Sequence, residues 1–210
     1  MAKFNSTTFG AISGRHGSAV AATTKDGQSY LRVYRAPSDP KTDKQVAQRS
    51  KFAFANSSLG CFRNLFKETF NSNRGINIGV SYALRDAISG EAPNFTLDYS
   101  KILFSVGNVN QALSASAVVT ADTTVSITWD MVEATLSKSD DKMSFIFFDE
   151  ATQLSIHLKD RSIRSTGSES IQLPAVWKNS KVYCWMYIST SDNLQNTNHS
   201  TSQFVAELQL

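Results

Sequence analysis

The stretch Met143-Ser144-Phe145-Ile146-Phe147-Phe148-Asp149-Glu150-Ala151-Thr152-Gln153-Leu154-Ser155-Ile156-His157-Leu158 sets two β-prone runs, 143–148 and 153–158, on either side of a polar turn. Both runs are short and rich in the residues that fit a pleated, half-buried surface. The pattern continues in both directions. Further runs lie at Phe95–Leu97, Ile102–Val106, Ala117–Val119, Thr123–Trp129, Ser170–Leu173, Val182–Ser189 and Phe204–Leu208, separated by polar stretches at 107–108, 137–141, 165–168 and 191–200. Short strands repeated this way over residues 95–210 predict an antiparallel β-sandwich of the immunoglobulin or fibronectin-III type, with Trp129, Trp185 and Tyr187 helping to fill its core. The Cys…Trp…Cys spacing of antibody domains is absent from the sequence, so the comparison concerns architecture alone.

Before residue 95 the pattern differs. Runs Ser18–Thr24 and Ser29–Arg35 flank Lys25-Asp26-Gly27-Gln28, and Asp-Gly between two such runs signals a β-hairpin. The second run alternates, with Tyr30, Arg32 and Tyr34 on one face and Leu31, Val33 and Arg35 on the other. Pro37 and Asp39-Pro40 then end the strand, and Asp39 as N-cap with Pro40 in the first turn predicts a helix from that point. Phe52, Leu59, Phe62, Phe66 and Phe70 recur at helical spacings, and Gly60 predicts a break between Asn56 and Gly60. After the turn 71–75, a second helix is expected from about Ile76 to Ile88, ended by Ser89-Gly90 and Pro93. The expected chain is α+β, with two domains: residues 1–94, a basic β-hairpin plus a helical hairpin, and residues 95–210, the sandwich.

Composition narrows the function classes. At 210 residues the chain can bury a real core. No apolar run approaches the roughly 18 residues of a membrane span, and residues 1–8 lack the apolar centre of a secretory signal. Synthesis in the cytoplasm and no membrane partner are expected. The net charge of +3 hides an asymmetry, because residues 1–76 hold 12 Lys+Arg against 4 Asp+Glu while residues 77–210 hold 9 against 14. A basic first part and an acidic second part can attract each other between copies, or the basic part can face an anionic partner.

Chemistry-bearing motifs are few. Cys61 and Cys184 lie outside any CxxC or Cys/His cluster and are expected as free thiols, with their pairing left open. His16, His157 and His199 are scattered, and neither a metal nor a cofactor is expected. The sequence contains no GxSxG, P-loop, GxGxxG or HExxH. Asp140-Asp141 and Asp149-Glu150 read as solvated turns, and the glycosylation-type triplets at Asn5, Asn56, Asn94 and Asn198 as chance matches. Catalysis is therefore not expected. The best candidates for binding a partner or nucleic acid are Arg15, Arg32, Arg35, Lys44, Arg49 and Lys51, interleaved with Tyr30, Tyr34 and Phe52. Cations contact phosphates without a strict motif, and aromatics among them can stack on bases.

The order Phe9-Gly10-Ala11-Ile12-Ser13-Gly14-Arg15-His16-Gly17, a strand ending Leu31-Arg32-Val33-Tyr34, then Asp39-Pro40-Lys41-Thr42 and Gln45-Val46-Ala47-Gln48-Arg49-Ser50-Lys51-Phe52 resembles an uncharacterised family common in Bacteroidetes. That family's pattern is a glycine hairpin, NPxT and QxxQRxxF. The likeness continues through Val80–Leu84, Pro93–Phe95 and Asp98–Leu103. Asp39 stands where asparagine is usual, and Thr23-Thr24 where many relatives carry tryptophan. The resemblance implies no established activity. The function expected is a non-catalytic structural or assembly protein, a homo-oligomer or larger assembly such as a phage virion component or another self-assembling bacterial structure. The alternatives are a nucleic-acid-binding accessory protein using the basic N-terminal region, and a glycan-binding sandwich using Trp177 or Trp185.

Overall fold

The computed structural model describes residues 2–4, 13–130, 137–191 and 197–210. The expected glycine motif at Phe9–Ile12, the Asn5 triplet and positions 192–196 of the expected last turn lie outside these. The chain divides into two compact units, Met1–Thr42 and Asp43–Leu210. The expected division between residues 94 and 95 falls within the second.

The first unit is a sheet of four strands, β1 (Ala2–Phe4), β2 (Gly14–His16), β3 (Ala19–Thr23) and β4 (Ser29–Val33), in the antiparallel order β1-β4-β3-β2. The expected hairpin is its centre. Gly27 takes φ +76°, a left-handed conformation that glycine adopts without a Cβ penalty. Thr24 closes the turn from both sides, its N–H donating to Gln28 O at 2.8 Å and its hydroxyl accepting from Gln28 N at 3.2 Å.

The second unit opens with α1 (Asp43–Ser58), α2 (Arg63–Thr69) and α3 (Gly75–Asp86). The helix predicted from Asp39-Pro40 starts later because Lys41 takes φ +45°, which no first helical turn accommodates. The break expected between Asn56 and Gly60 falls slightly later: α1 continues to Ser58, and Gly60–Phe62 forms one 3₁₀ turn between α1 and α2. The predicted end of the second helix is also corrected. Helical structure stops at Asp86, and residues 88–97 form a hairpin of β5 (Ile88–Glu91) and β6 (Asn94–Leu97), with Gly90 at φ +94°.

Eight further strands follow: β7 (Leu113–Ala121), β8 (Thr124–Asp130), β9 (Lys142–Asp149), β10 (Leu154–Ile163), β11 (Ser168–Gln172), β12 (Lys181–Ser191), β13 (Thr197–His199) and β14 (Gln203–Gln209). One sheet has the order β11-β8-β7, and the other the order β10-β9-β12, with β13 and β14 both paired to β12. The chain crosses between sheets after β8, after β10 and again after β11, which is the Greek-key connection of fibronectin-III-like sandwiches. Val125, Ile127 and Trp129 from one sheet meet Phe145, Phe147, Cys184 and Met186 from the other in the sandwich core.

The alternate residues of β9 and β12 point the other way. Ile146, Phe148, Tyr183, Trp185 and Tyr187 pack against Leu59, Phe62, Phe66, Val80 and Ala83 of the helical layer and against Phe104. Ring centroids lie 4.6 Å apart for Phe62–Phe148 and 5.0 Å for Phe104–Trp185. Both strands are thus covered on two faces, which is why they read as nearly unbroken apolar runs. Trp185 and Tyr187, expected in the sandwich core, belong to this second core. The run 102–106, expected as a strand, forms no ladder. Ser202 Oγ accepts from Phe104 N at 2.8 Å, Ser105 Oγ donates to Ser200 O at 2.8 Å, and Ser202 N donates to Ser105 O at 3.0 Å, so buried serines and the backbone between β13 and β14 hold it.

Candidate functional site

The six cations singled out in the sequence are divided between the two units. Arg15, Arg32 and Arg35 belong to the first unit, and all three are exposed. Residues paired across antiparallel strands share a face. The register sets Arg15 opposite Val20 and Val20 opposite Arg32, so the two arginines stand on one face with β3 between them. Tyr30, opposite Ala22, and Tyr34 have the same parity along the β4 run, as the alternation predicts. Arg15 lays its guanidinium 4.0 Å from the Tyr34 ring centroid, and its Nε donates to Gly17 O at 3.0 Å. A guanidinium fixed on an aromatic face keeps its charge and loses less freedom when it meets an anion. Arg15 was legible as a cation but not as the partner of Tyr34, because that contact arises only when β2 folds back onto β3.

Lys44, Arg49 and Lys51 lie on α1 in the second unit. Lys51 braces two helices, since its Nζ donates to Leu84 O at 3.0 Å and neutralises one of the last carbonyls of α3. Lys44 and Arg49 are exposed. Ala55 is the buried residue of α1, whereas Val46 is 47% and Phe52 51% exposed.

Other candidates change meaning. Asp141 and Asp149, read as solvated turn residues, are both buried. Asp141 pairs with the equally buried Arg164 at 3.2 Å. Asp149 loses hydration, but hydrogen bonds from Thr152 and Ser180 outweigh that loss and hold its carboxyl below the usual carboxylate range. His157 ties two layers together, with Nε2 2.8 Å from the Tyr187 hydroxyl and Nδ1 3.2 Å from Glu68 Oε1 of α2, out of line for a hydrogen bond. Burial pushes the Tyr187 phenol up to about 12. Cys184 is a free, buried thiol driven upward by desolvation, and Cys61 is free and half-buried. Trp177 and Trp185 are 1% and 0% exposed, so neither offers a stacking platform and the glycan reading through them is overturned. Among the described residues no three His, Cys, Asp or Glu side chains gather to hold a metal ion, and no helix is long and apolar enough to cross a membrane.

The arrangement defines an α+β protein in which a fibronectin-III-like sandwich carries a helical layer, preceded by a small Arg/Tyr-faced sheet. The chain belongs to the family of unknown function DUF6266, whose model matches residues 11–202. Among curated proteins, none matches the sequence. The crystal structure of the chicken CNTN1 FN1–FN3 domains is 12% identical, covers 58% of this chain and 39% of that chain, and has a TM-score of 0.31.

Proposed function

We propose that this chain is a non-catalytic structural protein that assembles with copies of itself, as a component of a virion or of another self-assembling bacterial structure. The observation that carries this reading is α1, which buries Ala55 and leaves Val46 and Phe52 about half exposed along a basic helix. A phenylalanine held half in water on an ordered helix gains when a neighbour covers it, by an amount that grows with the apolar area removed. The occupant proposed is a second copy. Residues 1–76 are basic and residues 77–210 acidic, so one copy's first part and another copy's second part attract.

Light scattering after size exclusion tests this. Masses above that of one chain are expected at low salt, falling toward the monomer as salt screens the charges. Phe52→Ser is expected to lower the assembled mass with circular dichroism unchanged. A monomer at every salt and concentration would overturn the proposal.

A further inference from the structure

We infer that the Arg15/Arg32 face of the first unit binds a single-stranded nucleic acid. This inference goes beyond self-assembly and does not depend on it. The face has a definite relief. Val20 and Ala22 of β3 are short side chains, while Arg15 on β2 and Tyr30 and Arg32 on β4 are long ones on either side. The register therefore makes β3 the floor of a shallow trough with an arginine on each flank. Directly paired residues lie about 5 Å apart between Cβ atoms, so the flanking arginines stand roughly 10 Å apart across it. The Arg15 guanidinium and the Tyr34 ring meet at 4.0 Å across β3, and this contact closes the trough at its Ser18 end, where Tyr34 N donates to Ser18 O at 2.7 Å.

Each component suits a flexible polyanion. The two arginines supply charge and forked donors for phosphate oxygens, and the Arg15 plane and the tyrosine rings supply flat faces on which unpaired bases stack. The surrounding unit adds long-range attraction, since residues 1–42 hold 6 Lys+Arg against 2 Asp+Glu. By contrast, the outer face of β7, β8 and β11 carries Ser116, Thr124, Ser126, Thr128, Ser168 and Ser170, with Ser116 and Thr128 hydroxyls bonded to each other at 2.8 Å. That face has no cation to offer. A duplex presents its bases stacked and paired, so the planar groups here favour a single strand.

Fluorescence anisotropy of a labelled oligothymidine titrated with the full chain, at roughly 50 and 200 mM salt, tests the inference. Binding is expected at low salt and weaker at high salt. Arg15→Ala with Arg32→Ala is expected to weaken it about tenfold and to reduce the salt slope by about 1 to 2. Arg15→Lys with Arg32→Lys guards against misfolding, since it keeps the charge and loses the planes: the salt slope should persist while affinity falls. No binding at low salt would overturn the inference, as would equal affinity in the alanine pair or tighter binding of duplex. If the alanine pair lowers the assembled mass by light scattering while wild type ignores the oligonucleotide, the face is a contact between copies and the inference fails.

Discussion

Arg164 is almost fully buried, and its charge is answered by Asp141, 3.2 Å away and equally buried. Nη2 also donates to Asn110 O at 2.8 Å, and Asp141 Oδ2 accepts from Lys138 N at 2.9 Å. The pair thus fastens the chain entering β9 to the end of β10. Asp141 Oδ1 and Arg164 Nη1 have no hydrogen-bond partner among the described residues, so the pair is incompletely satisfied. Removing one member should therefore hurt far more than replacing both. Arg164→Ala is expected to lower the unfolding free energy by about 3–5 kcal/mol, because a lone carboxylate remains buried. The double change Arg164→Met with Asp141→Leu should recover most of it. Urea unfolding of both variants is the measurement, and a loss of less than about 1 kcal/mol in the single variant would contradict this account. None of it was legible in the sequence, where Asp140-Asp141 beside Ser139 has every local mark of a solvated turn. What buries Asp141 is a residue 23 positions later.

At the scale of elements, α2 and α3 approach through glycine. A Cβ on Gly75 would collide with the carbonyl oxygen of Phe66, and one on Gly79 would lie 2.7 Å from the Phe66 ring. In a sequence, glycine within a helix reads only as a weakness of about 1 kcal/mol relative to alanine. Here it is what lets Phe66 sit fully buried, 5.3 Å from Phe104 and 5.9 Å from Phe62. Gly75→Ala should cost about 1–3 kcal/mol despite the better helix former, since a backbone carbonyl has nowhere to go. Gly79→Ala meets a ring and should cost less. Thermal melts that showed Gly75→Ala neutral or stabilising would contradict this packing. The apolar stripe of Phe62, Phe66 and Phe70 was readable from its spacing. The surface it meets was not, because the partner rings come from β9, β12 and the segment around Phe104.

Over the whole molecule, stability should form a plateau in pH with different causes at its two ends. Burial, with Lys159 nearby, holds His199 below the ordinary imidazole value, so its contribution is present above about 6.5 and lost as pH falls. Asp98, through Ser100 and Lys101, and Asp149, through Thr152 and Ser180, also sit below their ordinary value. Their contribution is complete above about 4 and disappears as pH falls through the lowered folded values. At the alkaline end, burial pushes Tyr183 and Tyr187 up to about 12, and the Glu150 carboxylate adds to this at Tyr183. The folded chain then holds protons that the unfolded chain releases above about 10, so stability falls from there upward. Melting temperatures across pH should be highest between about 7 and 9, with Asp149→Asn flattening the acid limb. An acid limb unchanged in Asp149→Asn would refute the assignment. The sequence by itself determined the α+β class, most strands of the sandwich, the Asp26-Gly27 hairpin and the Arg/Tyr alternation of β4, because period, turn residues and charge are local. Only the tertiary structure decided that β9 and β12 serve two cores, that Trp177 and Trp185 are enclosed, that Lys51 caps α3, and that Arg15 joins Arg32 across Val20. Each of these depends on which distant segment fills the space beside a residue, and packing between segments far apart in the chain leaves no periodic mark on either one.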